Sequence, residues 1–346
     1  MFDNSKVEII NSEEFIKYYK HKIILYDKDK LFFNLSFFQI YELENIFTNE
    51  KLDIVIKILK DNIDREFFII DSTEPIYPYI ENIKKFVEIC KVYNKSITII
   101  TGQNSNDILN LYESFGASVI FLRLFNFLFF ANEKINFPFY RENTLEKKFL
   151  TLNRGEKKFR KSLLEFLKQN DLLKFGEYSF LFENLASFNE NIDKEDRGAF
   201  YMSPIVDDFN FNKKCFLNFV IETCNEDYFI FEDNKINTNF VSEKTAKCLQ
   251  TGLPFILLGE SNSLYSLKSY GIKTFDKFWD ESYDLESNYE NKTNKAFNIL
   301  KTICYEKDSV LREIYNETEN IHKENLLLIN SIINDNLKIL KDKINL

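Results

Sequence analysis

The sequence predicts an α/β protein built as two Rossmann-like domains, and three observations carry that expectation. Short apolar runs alternate with longer stretches of helical period through the first 130 residues. The same alternation resumes beyond an irregular polar stretch, and 346 residues suit about two cores at roughly 150 residues each. The break falls between Phe130 and Lys148, where NEKINFPFYRENTLEKK contains Pro138. Domains are therefore expected at 1–145 and 146–305, followed by a helical tail over 306–346.

In chain order, KIILY (Lys22 to Tyr26) reads as a strand, and FFIID (Phe67 to Asp71) and SITII (Ser96 to Ile100) as buried strands. Tyr79 to Tyr93 has apolar residues at helical spacing between the last two. DILNLYESF (Asp107 to Phe115) is a further helix, opened by Ser105 or Asn106 and ended by Gly116, and SVIFL (Ser118 to Leu122) is the strand after it. Strands alternating with helices make right-handed βαβ units and a mostly parallel sheet. No G-x-G-x-x-G follows the first strand, which removes a dinucleotide fingerprint.

Two strand ends in this half present polar groups where an open α/β sheet carries its chemistry. FFIID runs into STEPIYP, which places Asp71 and Glu74 there, with Pro75 stiffening the turn. TGQNSND (Thr101 to Asp107) has the composition any βα turn requires, and the plain reading is the stronger for it.

The second half opens on FLTL (Phe149 to Leu152), followed by Asn153, Arg154 and Gly155 and then a helix with Arg160 and Lys161 early and Leu163, Leu164 and Leu167 on its buried face. Cations in the first turn oppose the helix macrodipole by a few tenths to ~1 kcal/mol, which a bound anion would offset. Further on, FVIET (Phe219 to Thr223) is a strand ending at the carboxylate of Glu222. FVSEKTAKCLQTGLPFILLG (Phe240 to Gly259) then reads as a helix opened by Ser242, stopped by Gly252, and a second strand after Pro254. The helix start suits an anion such as phosphate: Ser242 caps it, Lys244 adds a mobile charge, and Glu243 fits hydroxyls. The alternative is that Glu243 complements the dipole and Lys244 is solvated. GIKTF (Gly271 to Phe275) reads as a short strand, and the tail from Asp308 as helix with apolar positions in LREIY, LLLINSII and LKIL.

Bulk composition bounds the function. A net charge of -9 with no long basic run disfavours nucleic-acid binding by phosphate neutralisation. Five cysteines without C-x-x-C spacing argue against both a zinc site and a disulfide framework, and point to a reducing cytoplasm. No signal peptide is evident at the start. VIFLRLFNFLFFA (Val119 to Ala131), interrupted by Arg123 and Asn126, is shorter than the ~20 residues a membrane span needs. The 37 Phe and 18 Tyr, beside abundant Asn, Lys and Ile, reflect an AT-rich coding sequence rather than a stacking function.

A Glu-Thr pair ending a strand, then aromatic-Val-Ser-Glu-Lys, a helix, a Pro and an apolar strand ending in Gly resembles the donor-binding motif of the α-1,3-fucosyltransferase family and related GT-B glycosyltransferases. The matching residues are Glu222, Thr223, Phe240, Ser242, Glu243, Lys244, Pro254 and Gly259. Phe240 stands where the family usually has Tyr, so that phenol's hydrogen bond is lost. The stretch from Phe149 also resembles the opening of the family's donor domain, in which an Arg contacts the diphosphate. Arg160 is the match, with Asn153 and Arg154 beside it.

The resemblance implies a GT-B fold whose C-terminal helices cross back onto the first domain. It implies an inverting, metal-independent glycosyltransferase with no cofactor and a GDP- or UDP-linked sugar as co-substrate. Glu243 and Lys244 would hold ribose and phosphates. Glu74 would be the general base, with Asp71 its competitor, because Pro75 sits closer to Glu74 than the family's turn has it. The acceptor is a glycan, a protein or a modified base. A non-catalytic nucleotide-sugar or glycan-binding protein, and a DNA-base glycosyltransferase, stand as alternatives.

Overall fold

A computed structural model describes residues 30–34, 60, 66–71, 77–124, 145–153, 155–187, 214–222, 228–237, 244–245, 248–249 and 252–344. Its elements in chain order are β1 (Lys30–Asn34), β2 (Glu66–Asp71), α1 (Tyr77–Val92), β3 (Ile97–Thr101), α2 (Asn106–Ser114) and β4 (Ser118–Phe121). There follow β5 (Lys147–Asn153), α3 (Lys158–Gln169), β6 (Gly176–Phe180), β7 (Leu185–Ala186), β8 (Cys215–Ile221), β9 (Tyr228–Phe231) and β10 (Asn234–Asn237). The last are β11 (Phe255–Leu258), α4 (Ser263–Ser269), α5 (Tyr289–Tyr305) and α6 (Asp308–Ile344). The chain divides into two α/β units, one of residues 1–133, 228–240 and 332–346, the other of 134–227 and 241–331.

The first unit holds a parallel sheet in the order β1-β2-β3-β4. Phe67, Phe68 and Ile69 of β2 are all buried, so both faces of that strand are covered, as in parallel sheets with helical crossovers. Helix α1 turns Ile80, Ile83, Phe86, Val87 and Cys90 into the core, a spacing that keeps one face apolar. Gly116 follows α2 at φ 86°, and the N–H groups of Gly116 and Ala117 reach back to the carbonyls of Glu113 and Tyr112, closing the helix end.

The β9–β10 hairpin belongs to this unit although it lies far along the chain. Glu232 and Asp233 form its two-residue turn, both at positive φ, which is the turn whose twist matches paired strands. Phe231 and Ile236 enter the same core as β2 and α1; the Phe231 ring lies 5.8 Å from that of Phe115, and Lys84 pairs with Glu232. Asp335 and Asn336 of α6 bind the turn after β4, through an Arg123 ion pair at 3.0 Å and a bond from Asn336 Nδ2 to the Arg123 carbonyl at 2.6 Å.

The second unit holds a sheet in the order β11-β8-β5-β6-β7, parallel except for the short antiparallel edge strand β7. Helix α3 crosses from β5 to β6 and buries Leu163, Leu164 and Leu167 as the periodicity predicts, together with Phe159 and Arg160. On the same sheet Phe219 of β8 meets Phe297 of α5, which in turn meets Phe166 of α3, with ring centroids 5.8 and 5.0 Å apart. Among the described residues no helix is long and apolar enough to cross a membrane.

One element expectation changes, and one falls outside the described residues. KIILY lies outside the described residues, while KLFFN, unremarked in the sequence, forms β1 and pairs with β2. GIKTF is not a strand. Asn325 of α6 bonds both the N–H and the carbonyl of Lys273 at 2.8 Å, and Glu281 takes the Phe275 N–H at 2.8 Å. Side chains thus occupy backbone groups of this segment that a neighbouring strand would otherwise pair.

The pairing of Phe149 with Gly176 across β5 and β6 supplies a test of the second core. A Cβ on Gly176 would stand 2.2 Å from the buried Phe149 ring. Gly176→Ala is expected to destabilise the protein by about 1–3 kcal/mol, the range for overpacking. Denaturant unfolding at an unchanged midpoint would show instead that the ring can move aside.

Candidate functional site

Parallel strands β5, β8 and β11 end side by side, and the next residues along them are polar or glycine. Asn153 closes β5, Glu222 follows β8 and Gly259 follows β11. The register Leu150↔Asn218 puts Asn153 level with Ile221, and the Glu222 N–H continues the β11 ladder by bonding the Leu258 carbonyl at 2.9 Å. This is the carboxyl edge of an open α/β sheet, where such folds carry their ligands.

Glu222 is 2% exposed. A carboxylate so deeply buried requires hydrogen-bond donors, and the hydroxyl of Thr245 provides one to Oε1. Thr245 is itself buried, one residue beyond the half-buried Lys244, and both are helical. Gly259 admits the approach of the neighbouring strand: a Cβ there would lie 3.1 Å from Glu222 Cβ and Cγ. Residues 37 positions apart, from Glu222 to Gly259, therefore meet around one carboxylate.

A second layer fixes the end of β11. Lys292 of α5, 4% exposed, donates to the Gly259 carbonyl at 3.1 Å and to Ser261 Oγ at 3.0 Å. Asp284 accepts the N–H groups of Leu264 and Tyr265, in the first turn of α4, at 3.0 and 3.1 Å. Burial pushes the Asp284 carboxyl up from its usual range, against the opposing pull of those two amides and of Lys292. The phenol of Tyr283 accepts the Leu257 N–H at 3.2 Å; burial drives its ionisation well above the ordinary tyrosine range.

Around β5, Asn153 Nδ2 donates to Thr151 Oγ1 at 3.0 Å and Thr151 Oγ1 donates to the Phe219 carbonyl at 2.9 Å. The cations that open α3 part company. Lys158 lies over the Tyr289 ring at 3.8 Å and Lys161 pairs with Glu156, whose hydrogen bond and charge raise the lysine's pKa. Arg160 alone of the three is buried, and its Nη1 donates to the Gly155 carbonyl at 3.0 Å.

In the first unit Asp71 ends β2 at 2% exposure, and its Oδ2 accepts hydroxyls from Thr101 at 2.9 Å and Tyr112 at 2.7 Å. It joins β2, β3 and α2. Glu74, Arg154, Thr223, Phe240, Ser242 and Glu243 lie outside the described residues. The structure thus brings Glu222 together with the helix of Lys244 and with the end of β11, and sets Asn153 on the strand beside them.

Four partners were missed in the sequence. Thr245 is adjacent to Ser-Glu-Lys and has no feature of its own. Thr101 and Tyr112 read as ordinary turn and helix residues. Lys292 did carry a signal, since it falls in helical register with Ala296, Phe297, Leu300 and Ile303 on the buried face of α5.

The Glu222–Thr245 bond can be tested directly. Thr245→Val keeps the shape but leaves the buried carboxylate short of a donor. We expect a loss of ~1–3 kcal/mol in denaturant unfolding, and wild-type stability would show that Thr245 contributes nothing there.

No family model matches the chain, and no curated protein matches it in sequence. Among solved structures the chain is similar to a point mutant of T4 phage BGT in complex with UDP-glucose, with a TM-score of 0.43 and 9% identity over 92% of this chain and 83% of that one.

Proposed function

We propose that the protein is a GT-B glycosyltransferase that moves a sugar from a GDP- or UDP-linked donor to an acceptor hydroxyl, with inversion and without a metal ion. The observation that carries this reading is the meeting of Glu222, the helix of Lys244 and Gly259 at the carboxyl edge of one parallel sheet. These are residues of the fucosyltransferase-like motif, far apart in sequence, and their convergence is what a donor pocket requires.

In this reading residues 146–305 bind the donor, 1–145 the acceptor, and 306–346 form the helical tail. Lys244 and Arg160 face the diphosphate, and Arg154 lies beside them. Glu243 takes the ribose hydroxyls. Glu222, Thr223, Phe240, Ser242 and Asn153 shape the pocket. The acceptor hydroxyl gives its proton to a carboxylate as its oxygen bonds the anomeric carbon, and the bond from that carbon to the diphosphate oxygen breaks on the opposite side. Arg160 and Lys244 neutralise the departing charge in place of a divalent cation. Glu74 is the base; Asp71, whose Oδ2 already accepts two protein hydroxyls, suits a positioning role better.

A thermal-shift panel of GDP, UDP, CMP and their sugars identifies the donor; no shift with any of them would remove the reading. Lys244→Ala and Arg160→Ala are each expected to weaken nucleoside diphosphate binding by ~1–3 kcal/mol, the range for charge-assisted hydrogen bonds. Calorimetry giving wild-type affinity for both variants would sink the donor-site assignment.

Turnover is best assayed in EDTA, where the wild type should retain its rate. There Glu74→Gln is expected to bind donor normally and to lose at least ~100-fold in turnover, the usual contribution of a positioned base. A collapse confined to Asp71→Asn would transfer the role to Asp71, and a strict need for Mn²⁺ would contradict the cationic mechanism.

A further inference from the structure

Asn153 holds a more specific message than its place at the strand end. It is 1% exposed, and its Oδ1 finds no hydrogen-bond partner among the described residues. The neighbouring bonds fix which end of the amide is left over. The Phe219 carbonyl can only accept, so the Thr151 hydroxyl proton goes to it at 2.9 Å. Thr151 Oγ1 then receives from Asn153 at 3.0 Å, and only the amide nitrogen can give. Thr151 precedes Asn153 by two residues and shares its face of β5. With the nitrogen committed to Thr151, the amide oxygen is the atom left without a donor.

A buried acceptor without a donor is costly, and such groups in native proteins have a reason. A phosphate oxygen cannot meet this one, because an ionised diphosphate presents acceptors only. We infer that Asn153 Oδ1 receives an O–H or N–H of the bound nucleotide sugar, from the nucleoside or the sugar, and does not contact the diphosphate. The inference rests on the donor-site reading above. It divides that site's work: Arg160 and Lys244 hold charge, and Asn153 reads a neutral polar group.

The experiment pairs Asn153→Leu, which keeps the branched shape and removes the acceptor, with Thr151→Val, which removes the hydroxyl that orients the amide. Calorimetry is run with UDP, GDP, CMP, their sugars and inorganic pyrophosphate, and thermal unfolding without ligand. Asn153→Leu is expected to melt at or above the wild-type temperature, since an unmet buried acceptor is gone. It should also bind the preferred nucleotide sugar roughly three- to tenfold more weakly, with pyrophosphate unchanged.

Thr151→Val should weaken the same ligands in smaller degree, and should melt below the wild type because the Asn153 amide N–H and the Phe219 carbonyl each lose a partner. Equal losses for the nucleotide and its sugar form place the group on the nucleoside; a loss for the sugar form alone places it on the sugar. Pyrophosphate weakened as much as the nucleotide would overturn the inference in favour of a phosphate contact. A lowered melting temperature with unchanged affinities would make Asn153 a structural residue. A wild type that binds none of the probes would bring down the donor-site reading itself, and this inference with it.

Discussion

A carboxylate at 2% exposure is the constraint around which the second unit is arranged. Left without donors in such surroundings, an ionised Glu222 would cost several kcal/mol. The Thr245 hydroxyl is one such donor, and a Cβ on Gly259, just past β11, would crowd the glutamate side chain at 3.1 Å. The Gly259 carbonyl, brought to the same place, is met by Lys292, itself a buried charge. Each partner enters from a different element, so the edge of the sheet is fixed by polar contacts in a region where the apolar core has ended.

That arrangement explains which parts of the sequence were legible. Period alone locates β2, β3, β4, β5, β8 and β11 and the faces of α1, α2 and α3, because these elements bury continuous or helically spaced apolar residues. It misjudges GIKTF, whose apolar residues resemble a strand while Asn325 and Glu281 occupy backbone groups of Lys273 and Phe275. Strand ends were legible as candidate sites because Glu222 and Asn153 interrupt apolar runs. Their partners were not, since Thr245, Thr101 and Tyr112 are polar residues of common type whose meaning lies in contacts across 23 to 41 positions.

The interval between Glu222 and Lys244 reads in sequence as polar spacing, yet it contains a hairpin whose Phe231 and Ile236 belong to the first unit's core. The first unit is thus assembled from three separated stretches: the segment that carries β2–β4, the hairpin, and the end of α6 that binds Arg123. Contacts of such sequence separation are costly in loop closure and slow to form. The hairpin's tight turn is a local device that shapes it, and the Lys84–Glu232 pair ties it to α1 once it arrives.

The first turn of α3 shows how the structure narrows an electrostatic argument. Three cations at a helix N-terminus look like an anion site, because each opposes the macrodipole. Two of them have surface partners: Lys161 has Glu156, and Lys158 has the face of Tyr289. Neither charge needs a ligand to explain it. Arg160 differs by being buried, with its fork anchored at one nitrogen on the Gly155 carbonyl. The two lysines therefore carry no case for an anion at this strand end, and the count of positive residues in the sequence overstated it.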